Sequence, residues 1–209
     1  MNYKYLKKKI NDIVDARAKV NVPIQDKNVQ DPGVIATHPG EGEFFRALKT
    51  ELKKASEFFD SSQQLVRIRH ERVVNGYKKL LEDGKKYDKN TWSRLLRACV
   101  KFYKDVLLLE NFAIMNYCGF SKILKKHDKQ TGFRTRDAFM RNVMSVQNFT
   151  NYPYIQEMLR ESEKMFEEMQ KMDRYSCRIF LNMSNPCCLY LYVYVCIYIF
   201  DFDLIDFVV

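Results

Sequence analysis

Apolar residues recur at helical spacing along most of this chain. Leu6, Ile10, Ile13 and Val14 keep the i, i+3/i+4 spacing of one buried stripe and predict a short amphipathic helix over 2–17. Arg17 is the next position on that stripe, and its charge predicts that the buried face ends there. Pro23, Pro32, Gly33, Pro39, Gly40 and Gly42 break any period, so 21–42 reads as a connector. From Glu43 to Glu82, Phe45, Leu48, Leu52, Ala55, Phe59, Val66, Val73 and Leu80 approximate a seven-residue repeat. The basic run Arg67, Arg69, His70 and Arg72 reads as a solvated face of that helix. Residues 83–90 form a turn, with Gly84 placed to end the helix. A second long helix follows from Thr91 to Asp128. Its stripe is Trp92, Leu95, Leu96, Cys99, Phe102, Tyr103, Val106, Leu109, Ala113, Tyr117, Phe120 and Leu124. Two helices this long, joined by a short turn, pack as an antiparallel hairpin.

Thr131-Gly132-Phe133-Arg134 breaks the second helix, and shorter helices are predicted over 135–146 and 153–173. Glu161, Glu163, Glu167 and Glu168 fall on the polar face of the latter and read as solvation. The fold class is all-α: a long helical hairpin or three-helix bundle, with a short N-terminal helix and shorter C-terminal ones. After Tyr175 the character changes. Ile179 to Phe200 carries no charge, and Leu189 to Phe202 nearly alternates aliphatic with aromatic residues, a strand pattern. The apolar run 187–200 is shorter than the roughly 20 residues a membrane span requires. The expected organisation is a helical domain over 1–175 and an apolar tail over 176–209.

At 209 residues, length favours one domain, and 7 Gly with 5 Pro suit long helices. The 6 cysteines form no C-x-x-C pair, and His38, His70 and His127 do not lie near them at zinc-ligand spacing. No metal site is expected, and a reducing, cytoplasmic setting fits the free thiols. Cys99 and Cys118 read as buried. The first residues carry no apolar leader segment. There is no Gly-rich phosphate loop, no H-E-x-x-H and no G-x-S-x-G, so no catalytic residues and no cofactor are expected.

The formal charge of +9 favours an anionic partner. Its densest expression is Lys122-Ile123-Leu124-Lys125-Lys126-His127-Asp128-Lys129. At about 100° per residue, Lys122, Lys125, Lys126 and Lys129 share one face about 100° wide, and Ile123 and Leu124 point away from it. Like charges at these spacings repel, by a few tenths of a kcal/mol per pair, partly offset by the helix C-terminus. On spacing alone, a solvated lysine face that keeps the protein soluble is favoured over an anion site. A nucleic-acid groove would scatter cations over a longer track with exposed aromatics. A cluster confined to two turns matches a compact, multiply phosphorylated ligand. Tyr3 and Lys7, four apart on one face of the first helix, would add a hydroxyl donor and a closing charge. The alternative is a helical interaction module that binds anionic membrane or nucleic acid through a diffuse basic face.

The residues also carry a family likeness. Tyr3-Lys4-Tyr5-Leu6-Lys7-Lys8 resembles the Y-x-x-L-K-K segment of SPX domains. Gly42-Glu43-Phe44-Phe45 and the helix after it resemble their second region. Asn116-Tyr117-Cys118-Gly119-Phe120-Ser121 through Lys129 resembles their third, N-x-x-G-F-x-K-I-x-K-K-H-D-K. The resemblance spans residues 1–172. It implies a helical module that binds inositol polyphosphates such as inositol hexakisphosphate, or inositol pyrophosphates, and reports phosphate status. It places Tyr3, Lys7 and Lys126 in the family's phosphate-binding cluster, and Lys122, Lys125 and Lys129 on its adjoining lysine surface. It further implies a cytoplasmic domain, at times on the cytosolic face of a membrane, with an effector protein or fused membrane transporter as partner. The stretches Phe139 to Val143 and Arg160 to Glu163 look most like the phosphate-exporter branch. Family members begin one helix earlier, so the likeness implies an N-terminally truncated domain.

Overall fold

Two helices of 43 residues each form the frame: α2, Glu41–Asp83, and α3, Lys89–Thr131. At 1.5 Å per residue each is about 65 Å long. They belong to a computed structural model that describes residues 1–20, 38–83 and 88–172. Helix α1, Tyr3–Val20, precedes them. After them come the short α4, Arg136–Phe139, a π-helical turn, Met140–Met144, a 3-10 turn, Asn148–Thr150, and α5, Pro153–Met172. Among the described residues every regular element is helical, and the fold is all-α. No described helix is long and apolar enough to cross a membrane. The predicted connector lies largely outside the described residues, as do 84–87 of the turn and the whole 176–209 tail.

α2 and α3 run antiparallel. The Phe58 and Phe112 rings meet at 4.6 Å, and further along Arg69 pairs with Asp105. Their facing stripes bury as the periodicity requires, from Leu48 and Phe59 to Leu80 on α2 and from Trp92 and Phe102 to Leu124 on α3. The registry differs in detail. Phe44, not Phe45, is the fully buried aromatic at the start of α2, and Phe45 is half-buried. Tyr117 is 41% exposed, and Asn116 is buried in its place. The reason is α1: the Met1 amino group donates to Asn116 Oδ1 at 3.2 Å, which draws the core toward that flank of α3. Cys99 is buried as expected, whereas Cys118 is only half-buried.

α5 covers one face of the hairpin. Tyr103 Oη donates to Glu163 at 2.7 Å, the Tyr77 hydroxyl donates to Glu168, and His70 Nε2 lies 2.9 Å from Glu161. These acids therefore do more than solvate. Nor is the basic run wholly solvated: Arg67, Arg69 and Arg72 are exposed, but His70 is buried under α5. α1 covers the other face. Asn2 N–H donates to Glu51 at 2.7 Å and Lys9 pairs with Glu43 at 2.9 Å, so α1 runs antiparallel to α2. Leu6, Ile10 and Ile13 are buried between them, and Asn2 Oδ1 caps the helix by accepting from the Tyr5 N–H. The buried face of α1 does not stop before Arg17. That residue is half-buried, because its charge meets partners that the sequence pattern could not show.

Two glycines punctuate the corner. Gly132 ends α3 in the left-handed region at φ 79°, its N–H donating to the Asp128 carbonyl. Gly40, at φ 82°, turns the chain into α2.

Candidate functional site

The relation of α1 to α3 sets the site. Met1 meets Asn116, and Arg17 Nη1 donates to the Thr131 carbonyl at 2.8 Å; the separations are 115 and 114 residues. A nearly constant offset means the two helices run parallel in fixed register. A residue of α1 lies level with the α3 residue about 115 positions on, at 1.5 Å rise per residue in both. Lys7 is therefore level with Lys122, and Tyr3 sits about one turn earlier, level with Cys118. Lys9 pairs with α2 on one flank of α1, and Leu6 and Ile10 face the core between. Tyr3 and Lys7 fall on the opposite flank, toward α3.

The four α3 lysines are not equivalent. Gly119 marks the side of α3 that touches α1, because a Cβ there would come within 2.6 Å of Met1 Cε. Around the helix, Lys126 lies about 20° and Lys122 about 60° from Gly119, whereas Lys129 lies about 80° and Lys125 about 120° away. Exposure agrees: Lys122 and Lys126 are half-buried, Lys125 and Lys129 exposed. The fold thus brings Tyr3, Lys7, Lys122 and Lys126 to one corner and leaves Lys125 and Lys129 on its outer edge. Among the described residues no carboxylate pairs with Lys7, Lys125, Lys126 or Lys129. The positive charge is left facing solvent.

Beneath the corner lies a buried ion network. His127, 0% exposed, stacks on Phe44 at 4.6 Å between ring centroids. Its Nε2 lies 2.7 Å from Glu41 Oε2 and its Nδ1 3.2 Å from Asp128 Oδ1. Burial pushes the imidazolium down. Hydrogen bonds to Asp128 and Glu41, and their charges, outweigh it and hold His127 above its ordinary value. The other Glu41 oxygen accepts from Arg17 Nη2 at 3.1 Å, and the guanidinium lies over Phe133 at 4.6 Å. Asp128 accepts from the Thr135 N–H at 3.0 Å, the Thr135 hydroxyl at 2.6 Å and the Arg136 N–H at 2.9 Å, so it caps α4. Burial raises its carboxyl, but bonds from His127, Thr135 and Arg136 bring it below the ordinary value. Two cations and two carboxylates, from α1, α2 and α3, thereby lock the three helices together under the lysines.

Sequence reasoning missed this network, although a signal existed. Phe120, Leu124 and His127 share one buried stripe at i, i+4 and i+7, and Arg17 continues the stripe of Ile10 and Ile13. A charged residue on an apolar stripe calls for a buried partner. Among the described residues no group of three or more His, Cys, Asp or Glu is placed to hold a metal ion.

Fold and corner together define an all-α helical hairpin with a cationic end clasped by a short parallel helix. The family model for the SPX domain matches residues 60–143, and the chain carries an SPX domain. SPX domain-containing protein 1 of Oryza sativa subsp. indica is 30% identical over 131 residues, 63% of this chain and 43% of that protein. SPX domain-containing protein 2 of Arabidopsis thaliana is 29% identical over 178 residues, 81% of this chain and 58% of that one. The chain spans about half the length of these relatives. Among solved structures, the SPX domain of Chaetomium thermophilum glycerophosphodiester phosphodiesterase 1, in complex with inositol hexakisphosphate, superposes with a TM-score of 0.66. The match covers 81% of this chain and 88% of that one at 23% identity, and shows a shared fold.

Proposed function

We propose that this chain is a sensor domain for inositol polyphosphates or pyrophosphates, which it binds through Tyr3, Lys7, Lys122, Lys125, Lys126 and Lys129. The observation that carries this reading is the level placement of Lys7 with Lys122 on facing flanks of α1 and α3, with Lys126 one turn further on. A compact polyanion there relieves the mutual repulsion of the lysines and bridges α1 to α3. Lysine suits the task, since each ammonium is a flexible point charge with three donors. The fold neighbour bound to inositol hexakisphosphate supports the same ligand class.

The domain extends over 1–175 and acts as a receptor rather than an enzyme. With ligand bound, α1 is held against α3, and the composite surface signals to an effector. The likeness of Phe139–Val143 and Arg160–Glu163 to the phosphate-exporter branch supports a phosphate transporter as that effector, fused or separate, at the cytosolic face of a membrane.

Isothermal titration with inositol hexakisphosphate tests the site. Lys126→Ala and Lys7→Ala should each weaken binding about tenfold or more, since a charged hydrogen bond contributes roughly 1.5–3 kcal/mol. Lys126→Arg should also weaken it if the geometry is compact. An affinity that follows net charge alone, unchanged in Lys126→Arg, would instead favour a diffuse basic face. Unchanged affinity in both alanine variants would reject the site.

A further inference from the structure

α1 fills only part of the groove between α2 and α3. The Met1 side chain, just ahead of α1, lies against Gly119. Immediately beyond, on the same face, no described element covers the groove. Phe58 and Leu65 of α2 are 53% and 59% exposed, and Leu108 and Met115 of α3 are 65% and 56% exposed. Phe58 packs against the Phe112 ring across the groove, so these side chains form one surface. Single exposed apolar residues are ordinary, but a contiguous row marks an interaction site.

Charge bounds the row at one end. Arg97, Lys101, Lys104, Leu108, Phe112 and Met115 follow at three- and four-residue steps along α3. One line of the helix therefore reads basic and then apolar, up to the level where Met1 meets Asn116. Arg97, Lys101 and Lys104 are exposed, and Asp105 beside them is engaged by Arg69. From Arg97 to Met115 the line spans about 27 Å, the length of an 18-residue helix at about 1.5 Å per residue.

We propose that this length of groove, lined by Phe58, Leu65, Leu108, Phe112 and Met115, seats an amphipathic helix of a partner protein whose apolar stripe has acidic residues at the end that meets Arg97, Lys101 and Lys104. The adjoining length of the same groove already holds a helix, α1, so its width suits one. Arg97, Lys101 and Lys104 supply the complement to carboxylates. The apolar row contains none of the residues assigned to phosphate binding, so the two sites can be tested apart.

The test uses the full chain and a fluorescent synthetic helix with a leucine stripe and glutamates at one end. A second peptide carries the same leucines with lysines in place of the glutamates. The double variant Leu65→Gln, Leu108→Gln replaces exposed side chains with a good helix former, so the fold should survive. The expected result is saturable binding of the glutamate peptide, about tenfold or more weaker for the double variant and for the lysine peptide. The thermal shift by inositol hexakisphosphate should be the same in both proteins. Equal binding of both peptides, an unaffected double variant, or no saturable binding of the glutamate peptide would overturn the proposal. So would a concentration-dependent dimer abolished by the double variant, which would assign the groove to a second copy of this chain. Binding to phosphatidylserine vesicles abolished in the same way would assign it to a membrane. An intact hexakisphosphate shift in any of these cases leaves the sensor reading standing.

Discussion

Arg17 donates a hydrogen bond of 2.8 Å to the backbone carbonyl of Thr131, the last residue of α3, from a helix 114 residues earlier. That carbonyl has no partner within its own helix, so the guanidinium satisfies an orphan acceptor as well as the buried Glu41 carboxylate. With the Met1 bond to Asn116 at the other end, it fixes the sliding position of α1 along α3, and so the level at which Lys7 faces Lys122.

Replacing Arg17 with alanine should therefore act on both stability and binding. The variant leaves Glu41 buried with His127 as its remaining charged partner and should lose about 2–3 kcal/mol in urea unfolding. Hexakisphosphate affinity should fall with it, although Arg17 is not among the proposed ligand contacts. Stability lost with affinity retained would show that α1 keeps its register by apolar packing alone.

Stability should depend on pH from two sides. His127 is held above its ordinary value of 6.5, so its contribution is fully present below 6.5 and is lost as pH rises through the elevated value. Asp128 is held below its ordinary value of 3.8, so its contribution is present above 3.8 and is lost as pH falls through the depressed value. Melting temperature should therefore be highest between these two limits and decline as pH rises through the elevated His127 value. In His127→Gln the alkaline decline should flatten while the acid one remains. An identical alkaline slope in both proteins would exclude His127 as its source.

Two neighbouring glycines should respond in opposite directions. Gly40 has φ 82°, and a Cβ there would lie 3.0 Å from Ile13 Cγ1. Gly40→Ala should cost about 1–3 kcal/mol through backbone strain and displacement of α1. Gly42 lies inside the first turn of α2, and a Cβ there meets nothing within 4 Å. Gly42→Ala should be neutral or stabilise by up to about 1 kcal/mol. Chemical denaturation of the pair against the parent protein measures both.

A ligand that binds only the folded state raises the melting temperature in proportion to the logarithm of its excess over Kd. Inositol hexakisphosphate should give a clear shift and inorganic phosphate, at equal phosphate concentration, almost none. Raising the salt from low to physiological strength should shrink the first shift, because the lysines are partly solvent-facing. Equal shifts from the two ligands would count against a multivalent site.

Helical periodicity made much of the frame legible. The stripes from Leu48 to Leu80 and from Trp92 to Leu124 predict the hairpin, and Gly132 marks its break. The shared face of Lys122, Lys125, Lys126 and Lys129 follows from about 100° per residue alone. The errors lie where neighbouring elements compete for a residue. Phe44 displaced Phe45, and Asn116 displaced Tyr117, because α1 packs against that flank. A stripe read from one helix averages over partners it cannot see.

Local spacing decides which residues share a face, since that is set by the turn of the backbone, and it sufficed here for an all-α chain with a clustered cationic end. It does not decide which faces meet. That Glu41 would reach His127 across 86 residues, that Arg17 would be drawn under α3, and that Lys7 would stand beside Lys122 came only from packing. Apolar burial brings the helices together with little directional preference, and the few buried charges then select one register, because any slip would leave a carboxylate or a guanidinium without its partner.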